Sequence, residues 1–295
     1  MSTYSEEGGR ELIGCFKTAL AKLGWVEGQN VQFEHRWAEG KSDRYVPLAT
    51  ELAAMDLDLL AVNSTPASQA VKKATAGKNV PVVFMSVSDP VESGLVASLR
   101  RPGGNMTGVS NFFPATAGKL LDIIKTIVPQ LARVVVIRDP ANPGKKLDAG
   151  EIESAGRSVG VEVLDGSVKN ADDIRQVFSS AASLRPDGWI VLVDGVTLSN
   201  QHLILDLAQA SRLPAIYQVR EFVEAGGLVS YGLNFCQHFA RAAVYVDKIL
   251  RGASPSDLPV EQPTEFELVI NARTAKALGL EIPPILFAGA AEVLE

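Results

Sequence analysis

Five short polar stretches interrupt the apolar runs of this sequence, and their side chains limit the chemistry open to it. They are NSTPAS (63–68), SVSDPV (86–91), RDPANPG (138–144), DGVTLSN (194–200) and QVRE (218–221). In the first, Ser64 and Thr65 carry hydroxyls that can donate hydrogen bonds. The amides from Ala67 and Ser68 onward would point from a helix start toward an anion. A helix cap would use the same two hydroxyls, so this stretch alone serves a carboxylate receptor and a plain cap equally well. Asp89 and Asp139 each precede a proline, a pairing that starts turns and helices. Asp194 follows the apolar run WIVLV, at the point where a carboxylate can pair with an ammonium group. Groups of this kind hold a small polar ligand without making or breaking a bond.

Residues for catalysis or metal binding do not assemble. None of the three histidines, His35, His202 and His238, has a second histidine at metal-ligand spacing. His202 and His238 fall off the apolar stripes of their helices and read as solvated. There is no GxSxG, SxxK or HExxH pattern, and neither GxGxxG nor GxxxxGK[ST] occurs. The acidic runs EEGGRE (6–11) and ADDIR (171–175) read as solvated or capping charges. Cys15 lies beside the stripe Leu12, Phe16, Leu20 and is expected as a buried, reduced thiol, with Cys236 far away and no CxxC pattern. No metal, cofactor or catalytic residue is expected, and a Rossmann-type enzyme lacks its fingerprint. A net charge of -6 argues against a nucleic-acid surface.

The elements that carry these stretches alternate between apolar strands and helix-period segments, which predicts an α/β fold with parallel sheets covered on both faces. Strands are expected at 31–37, 57–62, 80–85, 107–110, 132–137, 161–164, 189–193, 214–217, 227–232 and 266–270. Ten strands suit two sheets better than one. The five polar stretches each follow one of these strands, the position where open parallel sheets bind ligands. Pro47 restricts the helix near 43–55 to a register that keeps it in the first turn. Polar links near 108–118, 226–234 and 262–266 mark places where the chain can cross between two lobes, each then built from separate segments with a cleft between them. No apolar run is long enough for a membrane span, and the first 25 residues carry no basic and apolar leader.

Several longer segments carry a resemblance. GWVEGQNVQFEHRWAEG, LAVNSTPASQAV, VPVVFMSVSDPVESGLVASLRRPGGNMTGVSNF, PAIYQVREFVEAGGLVSYGLN and DLPVEQPTEFELVINARTAKALGLEIPP together resemble the ABC transporter substrate-binding proteins related to the tryptophan-binding protein TrpX. The similarity runs in order from about residue 3 to the C-terminus.

The resemblance implies a type 1 periplasmic-binding-protein fold: two Rossmann-like lobes with parallel sheets joined by a multi-strand hinge. The lobes expected are 1–112 with 233–263 and 113–232 with 264–295. It implies a small carboxylate ligand such as an aromatic amino acid or aromatic acid, trapped by hinge closure of a monomer, and a membrane permease as partner. It implies a periplasmic or extracellular location. Ser64, Thr65, Ala67, Ser88 and Asp89 match the first lobe's ligand-facing positions, and Asp139, Asp194, Thr197, Gln218 and Tyr231 match those of the second. Thr65 and nearby amides are assigned to a ligand carboxylate, Asp194 to an amino group, and Tyr4 and Trp37 to aromatic walls, with packing under the rim as the other role open to Trp37. The family pattern also has a first strand ending just before YSEEGG. Here that strand is expected to be missing, between 31–37 and 57–62. A ligand-sensing module of the same fold without a transport role is the alternative.

Overall fold

The computed structural model describes residues 1–111 and 116–295. The chain forms two compact units. Unit 1 comprises Met1–Phe112, Ala141–Gly144 and Phe235–Thr264; unit 2 comprises Phe113–Pro140, Lys145–Asn234 and Glu265–Glu295. The crossing expected at 112 and 113 lies outside the described residues.

Unit 1 holds a three-stranded parallel sheet in the order β1 (Leu60–Asn63), β2 (Val82–Val87), β3 (Met106–Ser110). Every residue of β2 and β3 is buried, the signature of a parallel sheet covered on both faces, which is why these segments read as continuous apolar runs. Leu52, Val62, Val71, Val82, Phe84 and Met106 form the core around it. Gly108 lets β3 come close to β2: a Cβ there would lie 2.0 Å from the Phe84 carbonyl oxygen, and its φ is +148°. The helix Glu6–Lys22 starts at Ser5, whose side chain accepts from the Gly8 amide, and buries Leu12, Phe16 and Leu20. It packs on the helix Phe235–Leu250. Pro47 falls in the first turn of the helix Tyr45–Ala54, as its missing amide requires.

Two expectations for unit 1 are corrected. Residues 31–37 are not a regular strand: they pair only through isolated bridges at their ends, Glu27 with Val31 and Ser2 with Trp37. The apolar alternation is real, because Phe33, His35 and Trp37 stack in a row on one face with ring centroids 5.8 Å apart. A strand, however, needs a neighbour along its whole length. Cys15 is not a free thiol; it forms a disulfide with Cys236, joining the two packed helices across 221 residues of sequence.

Unit 2 holds a seven-stranded sheet in the order β10-β9-β8-β7-β6-β4-β5. Its strands are β4 (Arg133–Arg138), β5 (Glu162–Ser167), β6 (Gly188–Val191), β7 (Ala215–Tyr217), β8 (Val229–Gly232), β9 (Glu267–Asn271) and β10 (Glu292–Leu294). All neighbours are parallel except β8 and β9. Leu121, Ile124, Val134, Ile190, Ile216 and Ile270 lie in the core. Trp189 is fully buried, and its indole N–H donates to Ser211 Oγ at 3.0 Å. The short strand β10 carried no sequence signal, since three residues are too few to show a period. Among the described residues no helix is long and apolar enough to cross a membrane.

Candidate functional site

Each unit gathers its polar strand-end residues into one cluster. In unit 1 the cluster sits beyond the carboxyl ends of β1 and β2. Residues 1–3 lie beside β1, with the Thr3 amide donating to Asn63 Oδ1 at 2.9 Å and Asn63 Nδ2 donating to Thr3 Oγ1 at 3.2 Å. From there the chain runs through the helix Glu6–Lys22 to residues 31–37 on one side, while β1 lies on the other.

The backbone here is strained. Ser64, Ser86 and Asp89 have φ of 68°, 88° and 32°, in the left-handed region that side-chain-bearing residues avoid. Ser64 precedes the helix Thr65–Ala74, and its Oγ is buried without a hydrogen-bond partner. The rest of the cluster is well bonded. Thr65 Oγ1 accepts from the Ser88 amide at 3.0 Å, Ser68 Oγ donates to the Ser64 carbonyl at 2.7 Å, and Ser88 Oγ donates to Asn111 Oδ1 at 3.2 Å. Asp89 Oδ1 accepts from the amides of Val91 and Glu92, which makes it the cap anticipated from its Asp-Pro context. Pro66 has no amide, so the unbonded donors of this helix start are the amides of Thr65 and Ala67 beside the Ser64 hydroxyl. Tyr4 and Trp37 meet around Gly9, where a Cβ would lie 2.7 Å from the Trp37 ring and 3.3 Å from Tyr4 Cβ. Tyr4 is buried, and Trp37 is stacked on His35.

In unit 2 the sheet order places β4 between β5 and β6, so the loops after β4 and β6 leave at a point where the strand order reverses. The two loops are bonded to each other: Asp194 Oδ2 accepts from the Asp139 amide at 2.8 Å. Asp194 Oδ1 accepts from the amides of Val196 and Thr197, and Thr197 Oγ1 accepts in return from the Asp194 amide at 2.9 Å, a reciprocal cap on the helix Gly195–Ser199. Burial, reinforced by the charge of Asp139, pushes the Asp194 carboxyl up to about 6, against the lowering effect of these N–H donors and Lys145. The carboxylate of Asp194 thus already holds two loops together.

Gln218 is occupied within unit 2 as well. Its Oε1 accepts from the Val193 amide and from Lys145 Nζ, both at 2.9 Å, and its Nε2 donates to Asp148 Oδ2 at 3.0 Å. Lys145 also pairs with Asp148 at 2.7 Å while 4% exposed, and a buried ammonium requires such partners. Lys145 and Asp148 were missed in the sequence, although their i,i+3 spacing at a helix start was a usable signal. Tyr231 on β8 is half-buried and stacks on Phe266 at 6.2 Å. His238 differs from the solvated residue expected: its Nε2 is buried without a partner, and burial lowers its pKa to about 4. Among the described residues no group of His, Cys, Asp or Glu could hold a metal ion.

The model of ABC transporter substrate-binding proteins matches residues 4–294 of this chain. The chain belongs to that family. Its members are substrate-binding proteins, so the two polar clusters belong to a chain from a binding family. A tyrosine-binding protein of Clostridioides difficile is 28% identical over 266 residues, covering 90% of this chain and 76% of that protein. Two solved structures, each 26% identical with a TM-score of 0.90, cover 99% of this chain and 97% of their own. One is a conserved domain protein from Vibrio cholerae, the other an ABC domain from Streptococcus pneumonia in complex with L-Trp. The fold is that of the type 1 periplasmic binding proteins, with two lobes and parallel-dominated sheets.

Proposed function

We propose that this substrate-binding protein takes up an aromatic amino acid, or a closely similar aromatic carboxylate, and presents it to an ABC permease. The observation that carries the reading is the buried Ser64 hydroxyl, which lacks a partner on a strained residue directly before a helix start. A buried hydroxyl without a hydrogen bond is costly, and a ligand carboxylate would satisfy it together with the amides of Thr65 and Ala67. Ser88 and Asp89 hold the neighbouring loop, and Tyr4 and Trp37, which meet around Gly9, are the aromatic residues this reading assigns to the ligand. In unit 2, Asp139, Asp194, Thr197 and Gln218 shape the strand-end loops that face the ligand, and Tyr231 adds a ring. The ligands printed for similar proteins, tyrosine and L-Trp, support the aromatic class. Closure of the two lobes on the ligand, by hinge motion of a monomer, is part of this proposal. The disulfide supports a periplasmic or extracellular location, because such bonds persist in oxidising compartments.

A melting screen with aromatic amino acids, branched amino acids and aromatic carboxylates tests the proposal. An aromatic ligand at a hundredfold excess over its Kd adds about 2.7 kcal/mol to stability and raises Tm accordingly. A shift with branched amino acids alone would overturn the aromatic class, and no shift with any compound would overturn the binding assignment.

A further inference from the structure

At the end of the unit 2 sheet opposite to the Asp139 and Asp194 loops, a pocket with a volume of about 430 Å³ opens at the amino ends of β7 and β8. Its size lies in the ordinary range for small-molecule sites. The helix after β7, Arg220–Glu224, has only five residues and rises only about 7.5 Å. It therefore leaves this end of the sheet uncovered between the helices Gln201–Ser211 and Ala272–Ala277. Leu205, Ala208 and Ala277 of those helices line the pocket together with Leu213 and Leu228. Thr274 Oγ1 donates to the Gly226 carbonyl at 2.9 Å, which ties the loop before β8 to the second helix.

Tyr217 supplies the polar group inside. It is 1% exposed, and its ring turns back toward the amino end of the sheet: its backbone pairs with Ser230, yet a Cβ on the upstream Gly227 would lie 2.6 Å from the Tyr217 ring. The hydroxyl at the ring's end is thereby carried into the pocket, where no described residue bonds it. Burial raises the pKa of this phenol, so it stays a neutral donor. A buried hydroxyl of this kind calls for an acceptor. Two exposed guanidinium groups, Arg212 and Arg273, stand against one carboxylate, Asp206, among the described lining residues. Arg273 donates to the Glu295 backbone oxygen at 2.7 Å, whereas the Arg212 side chain has no partner among the described residues. Arg212 ends its helix with a φ of 55°, in a position where glycine is the least strained residue.

We propose that this pocket is a second ligand site, distinct from the polar strand-end cluster of unit 2, for a small organic anion with an apolar body. The acidic group of the ligand pairs with Arg212 and Arg273, and a hydroxyl or carbonyl oxygen at its other end accepts from Tyr217. The charge balance of the lining selects an anion over a cation. The phenol selects an oxygenated body over a plain hydrocarbon one, because only the former gives the buried hydroxyl its acceptor.

Three probes test this on the full chain: 4-hydroxyphenylacetate, phenylacetate, which lacks the acceptor, and 4-hydroxyphenylacetamide, which lacks the charge. Peptide-resolved amide exchange over a concentration series of each probe separates protection of 201–213, 225–228 and 272–278 from protection of 63–68 or 194–200. The hydroxylated acid is expected to protect the first set, and the other two probes to do so about tenfold more weakly. Tyr217→Phe keeps the ring that stacks on Phe222 and should weaken the hydroxylated acid about tenfold while leaving phenylacetate unchanged. Arg212→Gly suits the positive φ and should weaken both acids about tenfold while leaving the amide unchanged. Equal loss of both acids in Tyr217→Phe would make the ring a packing residue, and no loss of either would make its hydroxyl merely solvated. Protection confined to 63–68 or 194–200, or none at all, would remove the site. Protection of the first set that rises with protein concentration, without any probe, would assign the pocket to a second copy of the chain. Each of these results overturns the proposal.

Discussion

Replacing Cys15 and Cys236 with serine should destabilise unit 1 and leave unit 2 nearly unchanged, because both cysteines and the two helices they join belong to unit 1. The cross-link closes a loop spanning 221 residues of sequence. Segments of unit 2 make up about half of that loop, and they stay folded if unit 1 melts alone. The chain-entropy cost depends on the logarithm of loop length, so either length gives about 5 kcal/mol. For a cooperative unit of this size, with about 2.1 cal/mol/K of unfolding entropy per residue, the loss lowers the unit 1 Tm by about 15 °C. Scanning calorimetry of the serine variant should show the lower transition moving down, and amide exchange should show protection lost from the helices Glu6–Lys22 and Phe235–Leu250 and from β1–β3. A variant melting within about 2 °C of the parent would refute this reasoning. So would two thiols titrating in the unreduced, denatured parent protein.

Other expectations follow from single residues. Ser64→Ala should weaken ligand binding about tenfold and, by removing a buried unbonded hydroxyl, raise the stability of the ligand-free protein by about 1 kcal/mol, while Ser64→Gly should also relieve the positive φ and raise it further; urea unfolding and calorimetric titration check both. Asp194 has a folded pKa near 6, above its ordinary 3.8. The folded state therefore holds the extra proton between those values, and the stability this residue contributes is greatest below pH 4 and falls by about 3 kcal/mol as pH rises through 6. Asp194→Asn should remove that slope from unit 2, and an unchanged slope would contradict the burial argument. His238 acts in the opposite sense in unit 1: neutral when folded, it loses stability as pH falls from 6.5 toward 4, and His238→Gln should make unit 1 more resistant to acid. Gly108→Ala should place a methyl group against the Phe84 backbone and cost more than about 3 kcal/mol, seen as loss of soluble protein or a large drop in Tm.

The parallel strands were legible because burial on both faces leaves an uninterrupted apolar run, as in VVFMSV and RVVVIR. Residues 31–37 carried a different signal, the alternation of VQFEHRW, and the misreading there has a physical source: side-chain alternation reports which face packs, whereas a ladder depends on a neighbour that the segment itself does not encode. The disulfide was hidden for a similar reason, since it depends on two helices meeting from opposite ends of the chain. In the candidate site, Ser64 and Thr65 stood out as small hydroxyls ending an apolar strand. Lys145, Asp148 and Gln218 did not stand out as a group, because the contact between Lys145 and Gln218 spans 73 positions. Nothing local distinguishes Asp194 as a brace between two loops from Asp194 as a binding carboxylate. Only the positions of the Asp139 and Thr197 amides show how its oxygens are used.

The most direct test of the account is calorimetric titration of the ligand-stripped protein with L-tyrosine and L-tryptophan, repeated with Ser64→Ala. The account predicts one site per chain, a negative heat-capacity change from burying an aromatic ring, and a Kd about tenfold weaker in the variant. Absence of heat with either amino acid, or binding that Ser64→Ala leaves untouched, would contradict it.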